Sequence, residues 1–267
     1  MGMPMTPSVR DLQEQGLGVT LRRDAWWVAP ALTALVLGSF GIYATWAAWT
    51  GAHYEWGPYL SPFYSPLLRP SWWPLSPAFL ILVFPLGFRL TCYYYRKAYY
   101  RAFFLDPVAC AVGEPRHGYR GETRFPFILQ NVHRFFMYAA VVFIFILSYD
   151  VLLATRWPVN GVPANGAMPP GPREFGIGIG TLVMAVNVIL LASYTFGCHS
   201  LRHLVGGSVD CFSCARGGPA RYRLWRAVSV LNRNHMLWAW CSLFSVALTD
   251  VYIRLCSSGI ITDLRIL

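Results

Sequence analysis

Four histidines and three cysteines supply the side chains in this chain best suited to hold a redox-active metal: His133, His199, His203 and His235, with Cys92, Cys110 and Cys198. Imidazole and thiolate are ligands of the softer transition metals. Brought to one level, they permit either a single b-type haem between two histidines or a Rieske-type [2Fe–2S] cluster on two cysteines and two histidines. Zinc is a third reading, because His199, His203, Cys211 and Cys214 run as H-x3-H-x7-C-x2-C; one C-x-x-C in a loop of small residues is a weak signal for it. His53 and His117 fall in loops and read as solvated surface, while Cys241 and Cys256 read as small packing residues.

The elements that carry these residues must lie in a membrane. Of 267 residues 55% are apolar or aromatic and only 13% are charged, against roughly 25% charged in a soluble domain. Mean hydropathy is +0.41. The apolar residues gather in five blocks, at 26–49, 77–95, 127–154, 175–204 and 224–256, each long enough to cross about 30 Å of hydrocarbon. Pro85 predicts a kink in the second. The expected fold is therefore all-α, an integral five-helix bundle over residues 26–257, with a cytoplasmic segment at 1–25 and a short outer tail at 258–267.

Basic residues orient it. Arg96, Lys97, Arg101, Arg116, Arg120 and Arg124 follow the second block and Arg216, Arg221, Arg223 and Arg226 lead into the fifth, whereas the alternate loops hold Arg69, Arg156 and Arg173. The positive-inside rule then puts the N-terminus in the cytoplasm and the C-terminus outside. The +10 net charge thus reports topology and lipid contact, not nucleic-acid binding. Trp46, Trp49, Trp56, Trp72, Trp73 and Trp157 mark the outer boundary, and Asp150 and Asp250 are expected at the interface.

At a rise of about 1.5 Å per residue, His133 comes about two turns into the third block and His235 about three turns into the fifth. His199 and His203 share a face near the cytoplasmic end of the fourth. The four imidazoles form one layer. A single intramembrane histidine is explained by a hydrogen bond to a neighbouring helix, but polar groups on several spans at one depth mark a functional pathway. Cys92, Cys110 and Cys198 join that layer on a reducing side where disulfides are not expected. Tyr93, Arg134, Arg233 and Trp238 surround it and suit a quinone, whose carbonyls accept hydrogen bonds while its tail lies in lipid. Two haems are disfavoured because the outer halves of the spans hold no histidine.

The stretches RLTCYYYRKAYYRAFFLDPVACAV, GETRFPFILQNVHRFF, GCHSLRHLVGG and LNRNHMLWAW, in that order, resemble the single-chain membrane anchor of a bacterial branch of succinate:quinone oxidoreductases, the cytochrome b-like subunit. The resemblance runs from about Arg89 onward. It implies an anchor in the cytoplasmic membrane under a flavoprotein and an iron–sulfur protein, passing electrons to a membrane quinone, with menaquinone the natural candidate. It also implies that Cys92, Cys110, His133, Cys198, His199, His203 and His235 sit at matching positions, in a branch carrying a Rieske-type cluster where the wider family carries haem. Cys211 and Cys214 depart from that pattern. The competing readings are a cofactor-free structural anchor and a small transporter; the lack of internal repeats counts against the latter.

Overall fold

The computed structural model describes residues 16–115, 124–125, 127–163, 166, 168–207 and 209–267. Arg116, His117 and Arg120 lie outside the described residues. The described residues are helical apart from connecting loops and two short antiparallel ribbons, Glu55–Trp56 with Tyr59–Leu60 (β1, β2) and Arg156–Pro158 with Arg173–Phe175 (β3, β4). Among the described residues four helices are long and apolar enough to cross a membrane: Val28–Thr50, Ile128–Leu153, Ile179–Phe196 and His235–Ser257. A bent pair, Ala78–Thr91 and Tyr93–Phe104, makes a fifth span if counted as one.

Helix α1, Val28–Thr50, is apolar on all sides and buries only Ala47 and Ala48, as a lipid-facing helix should. Its Thr33 and Thr50 hydroxyls donate to carbonyls one turn back, at Ala29 and Trp46, so neither enters lipid unsatisfied. Helix α2, Ala78–Thr91, runs through Pro85. The chain breaks instead at Cys92, whose backbone is extended (φ −65°, ψ 129°), before α3, Tyr93–Tyr99, and a π-helical turn, Tyr100–Phe104. The two halves of that pair are bent by 78°. The second apolar block is thus a broken helix and not one running on to Tyr95.

Three further corrections concern the remaining blocks. A 3-10 segment, Phe127–Val132, precedes α4, His133–Leu153, so His133 opens the α-helix instead of lying inside it. The fourth block stops at the end of α5, Ile179–Phe196, and Cys198 caps a single turn, α6, His199–Arg202, followed by a π-helical turn, His203–Gly207. The fifth block is two helices. The basic amphipathic α7, Gly218–Arg233, ends at Asn234, and the apolar α8, His235–Ser257, starts with the histidine. Four arginines on α7 exclude it from the hydrocarbon.

The chain forms two compact units. Met1–Tyr43 and Arg89–Val132 make the first, Ala44–Phe88 and His133–Leu267 the second. In the first, residues 18–22 pair with 110–113: Gly18 N donates to Gly113 O (3.1 Å), Gly113 N to Val19 O (2.8 Å) and Thr20 Oγ1 to Ala111 O (2.7 Å). The Leu90 carbonyl, freed by the break at Cys92, accepts from Gln130 Nε2 and Tyr99 Oη, each at 3.2 Å.

In the second unit, buried polar groups bond to α4 and α8 away from His133 and His235, and to the start of α5. Asp250 is fully buried, ion-paired to Arg254 Nε at 2.6 Å and bonded to Ser61; Asp150 accepts from Ser65. Both aspartates are therefore buried within the protein. Trp56 and Trp157 are interior too, packed edge-on at 6.2 Å and both against Tyr59. Trp46, Trp49 and Trp72 are exposed, as a boundary belt requires. Asp263, from the C-terminal tail, accepts from Tyr59 Oη at 2.6 Å and from the Gly180 N–H of the first turn of α5 at 3.0 Å, placing a carboxylate at the positive end of that helix.

Candidate functional site

The chemically distinctive side chains sit where helices break. Gly197 lets the chain turn out of α5: a Cβ there would lie 2.7 Å from Ser193 O and 3.2 Å from Leu231 O, both main-chain atoms that cannot yield. Cys198 follows in an extended conformation (φ −65°, ψ 139°), and its sulfur accepts from Ser200 N at 3.3 Å. Cys92 has nearly the same backbone angles and also caps a helix. In both, the cysteine carbonyl accepts from the N–H of an arginine four residues on, Arg96 at 2.8 Å and Arg202 at 3.0 Å.

In the second unit the imidazoles and one thiol converge on one end of the helices. His133 Nε2 lies 3.2 Å from Cys198 Sγ. Its ring stacks on Phe88, with centroids 4.9 Å apart and planes within 5°. His235, buried at the start of α8, stacks on Tyr194 at 4.9 Å and meets the His199 ring edge-on at 5.7 Å. Phe88 and Tyr194 are themselves 5.2 Å apart. Neither aromatic residue was expected from the sequence, because nothing distinguishes them from other apolar-face aromatics until the helices are packed.

Asn232 Nδ2 donates to Gly197 O (2.7 Å) and lies 3.3 Å from His199 Nδ1, so it ties the end of α7 to the turn holding Cys198. Burial, and then the Arg202 guanidinium, push His199 below the usual imidazole range. A neutral imidazole is the form that binds metal. His203 is set apart from that group, with Nδ1 3.4 Å from Arg134.

Of the seven expected ligands, then, His133, Cys198, His199 and His235 are drawn together, His203 flanks them, and Cys92 and Cys110 belong to the first unit. Cys92 is buried and Cys110 exposed, with its carbonyl accepting from Arg22 at 2.9 Å. No three His, Cys, Asp or Glu side chains among the described residues form a group able to hold a metal ion. One nitrogen and one sulfur donor, His133 and Cys198, are adjacent.

Of the expected quinone residues, Trp238 has its indole Nε1 buried with no hydrogen-bond partner among the described residues, as a donor reserved for a ligand carbonyl would be. Arg134 and Arg233 are exposed, and Tyr93 is exposed beneath the Arg96 guanidinium, 4.8 Å from its ring centre. Cys211 and Cys214 form a disulfide, against the expectation of free thiols; their sulfurs are bonded to each other in place of zinc.

The sequence profile described as actinobacterial succinate dehydrogenase subunit SdhC matches residues 28–259. No curated protein matches. Among solved structures, a chain of the Mycobacterium smegmatis Sdh1 complex in the apo form is 47% identical and superimposes with a TM-score of 0.80, over 93% of this chain and 94% of that one.

Proposed function

Because the chain belongs to the family of actinobacterial succinate dehydrogenase subunit SdhC, we propose that it works as an electron-transfer subunit as well as an anchor, passing electrons from a partner iron–sulfur subunit to a membrane quinone. It is a subunit of a succinate dehydrogenase complex and a multi-pass protein of the bacterial cytoplasmic membrane. Succinate itself is oxidised on a partner flavoprotein in this reading. The observation that carries it is the approach of His133 to Cys198 at a helix break, beside His199 and His235.

His133, Cys198, His199 and His235 are the side chains of the second unit that would hold a Rieske-type cluster. Such a group supplies one-electron transfer at a potential raised by its histidine ligands. Phe88 and Tyr194 fix two of the imidazoles by stacking and keep water from them. Trp238 Nε1 donates to a quinone carbonyl, and the exposed Arg134 and Arg233 meet the polar head at the membrane surface. The arginine-rich loops beside α3 and α7 face the cytoplasm, where the flavoprotein and iron–sulfur partners dock, and the C-terminus lies outside. Menaquinone is the expected acceptor.

The test is electron paramagnetic resonance with iron and acid-labile sulfide analysis of the purified complex. The expected result is a rhombic signal that His133→Ala and His235→Ala each abolish while the complex stays assembled. A sharp Soret band that shifts on reduction would replace the cluster with haem. Full quinone reduction in both histidine variants would refute electron transfer through these residues.

A further inference from the structure

The Cys211–Cys214 pair is a chemically active feature that the electron-transfer reading leaves unused. We propose that it is a reversible dithiol–disulfide switch, which tightens or loosens the segment carrying His199 and His203. Both cysteines are exposed, with Cα atoms 5.3 Å apart, within the range that a disulfide spans. They lie next to Arg216, Arg221, Arg223 and Arg226, on the side read as cytoplasmic. A disulfide in a reducing compartment is usually transient or regulatory.

A continuous run of contacts leads from this pair to the histidines. Phe212, between the two cysteines, packs on Tyr222 at 5.4 Å and on Trp225 at 5.9 Å. Trp225 carries the Arg202 guanidinium over its ring at 4.9 Å, and Arg202 Nε donates to Ser229 Oγ at 2.9 Å. Arg202 stands between His199 and His203 on the α6 turn. Gly206, in the π-helical turn after it, has no room for a Cβ, which would meet Trp225 Cδ1 at 2.5 Å and Phe212 Cζ at 2.8 Å. A displacement of Phe212 therefore reaches both ends of residues 199–207. The closed four-residue loop holds Phe212 in that wedge; opening it restores the loop's freedom.

The chemistry is thiol–disulfide exchange with a cytoplasmic dithiol carrier. In the oxidising direction the Cys211 or Cys214 thiolate attacks the carrier's disulfide and forms a mixed disulfide, releasing one carrier thiolate. The second cysteine attacks in turn, the intramolecular S–S bond forms, and two electrons and two protons leave with the carrier as its dithiol.

The regulatory half of the proposal rests on the electron-transfer role of the His199–His203 segment, whereas the switch itself does not. The test uses the whole complex poised in buffers of reduced and oxidised dithiothreitol. Alkylation and mass spectrometry count the thiols, and hydrogen exchange reads the amides of residues 199–207. The pair should titrate as a two-electron unit, its dithiol-to-disulfide ratio changing tenfold for each tenfold change in the buffer ratio. Reduction should speed exchange at 199–207 by roughly threefold or more. The Cys211→Ser/Cys214→Ser double variant should exchange as the reduced protein does at every poise. A pair that stays open or closed throughout, that binds zinc, or that titrates without changing exchange at 199–207 overturns the proposal. These readouts need no cofactor signal, so a complex lacking an iron centre would refute the electron-transfer reading and leave the switch standing or falling by itself.

Discussion

Asp250→Asn should be among the most destabilising single changes in the chain. Asp250 is fully buried and faces Arg254, whose side chain is 9% exposed, with the guanidinium Nε 2.6 Å from the carboxylate. The other guanidinium nitrogens donate to Ala52 O at 2.8 Å and Ala47 O at 2.9 Å, and the Trp46 ring centre is 5.3 Å away. Asparagine keeps the volume and a hydrogen-bonding oxygen but leaves the cation without its counter-charge, a loss of about 3–5 kcal/mol. At about 2–4 °C per kcal/mol for a chain of this size, the unfolding midpoint should fall by roughly 6–20 °C. Thermal unfolding of the detergent-purified complex, followed by tryptophan fluorescence, measures it. Asp250→Asn with Arg254→Met should recover part of the loss, because no unpaired charge then stays buried. Asp150→Asn is the control: Asp150 accepts from Ser65 and has no ion pair among the described residues, so its neutral isostere should cost less than about 1 kcal/mol. A single variant within about 2 °C of the parent, or a double variant less stable than Asp250→Asn, would refute the charge argument.

Gly197→Ala should separate the chemistry from the fold, since its Cβ meets main-chain atoms of Ser193 and Leu231 at the turn that presents Cys198; the signal of the proposed cluster should fall while span insertion, read by protease protection, is kept. Tyr59 should make stability sensitive to alkali. Burial, and then its bond to the Asp263 carboxylate, raise its pKa well above the usual phenol value, so the folded state holds the proton more tightly. Its contribution is whole below pH about 10, the unfolded value, and is lost as the pH climbs toward the folded value. Thermal midpoints from pH 8 upward should therefore fall more steeply in the parent than in Tyr59→Phe, by up to about 1.4 kcal/mol per pH unit, and parallel curves would sink the assignment.

Apolar block length predicts five spans, because covering about 30 Å of hydrocarbon leaves little choice of helix length; the described residues have four such helices, and five if the bent pair counts as one. What block length could not reveal was where each helix stops. No proline or charge stands at Cys92 or Cys198 themselves to mark the stop; the breaks are accompanied by tertiary hydrogen bonds such as Asn232 to Gly197 and Gln130 to Leu90. The burial of Asp150 and Asp250 was hidden for a related reason. A carboxylate near a helix end reads as interfacial unless the loop that covers it is known, and here Ser61 and Ser65 of one loop reach both. His133 and His235 each open their helix instead of lying two and three turns inside it, so helical rise misjudged their places, and only the residue types made the histidine cluster legible. Its aromatic walls, Phe88 and Tyr194, were not.

The breaks and the chemistry have one physical cause. An unbroken helix in lipid spends every backbone N–H and C=O on itself, and its side chains leave it at fixed angles set by the helical repeat. Where a helix breaks, backbone groups become available to a sulfur or to a neighbouring amide, and a side chain can be aimed along the membrane plane. Cys198 uses both freedoms: its sulfur takes the Ser200 N–H and lies beside His133. The freed carbonyl of Gly197 is repaid by Asn232, the residue that also orients His199. Irregular backbone at membrane depth persists only where protein satisfies it, so the same side chains that make the break tolerable also fix the imidazole and thiol in position. A variant that repaired the helix through residue 198 would gain hydrogen bonds within the helix and lose the approach of nitrogen to sulfur on which the proposed electron path depends.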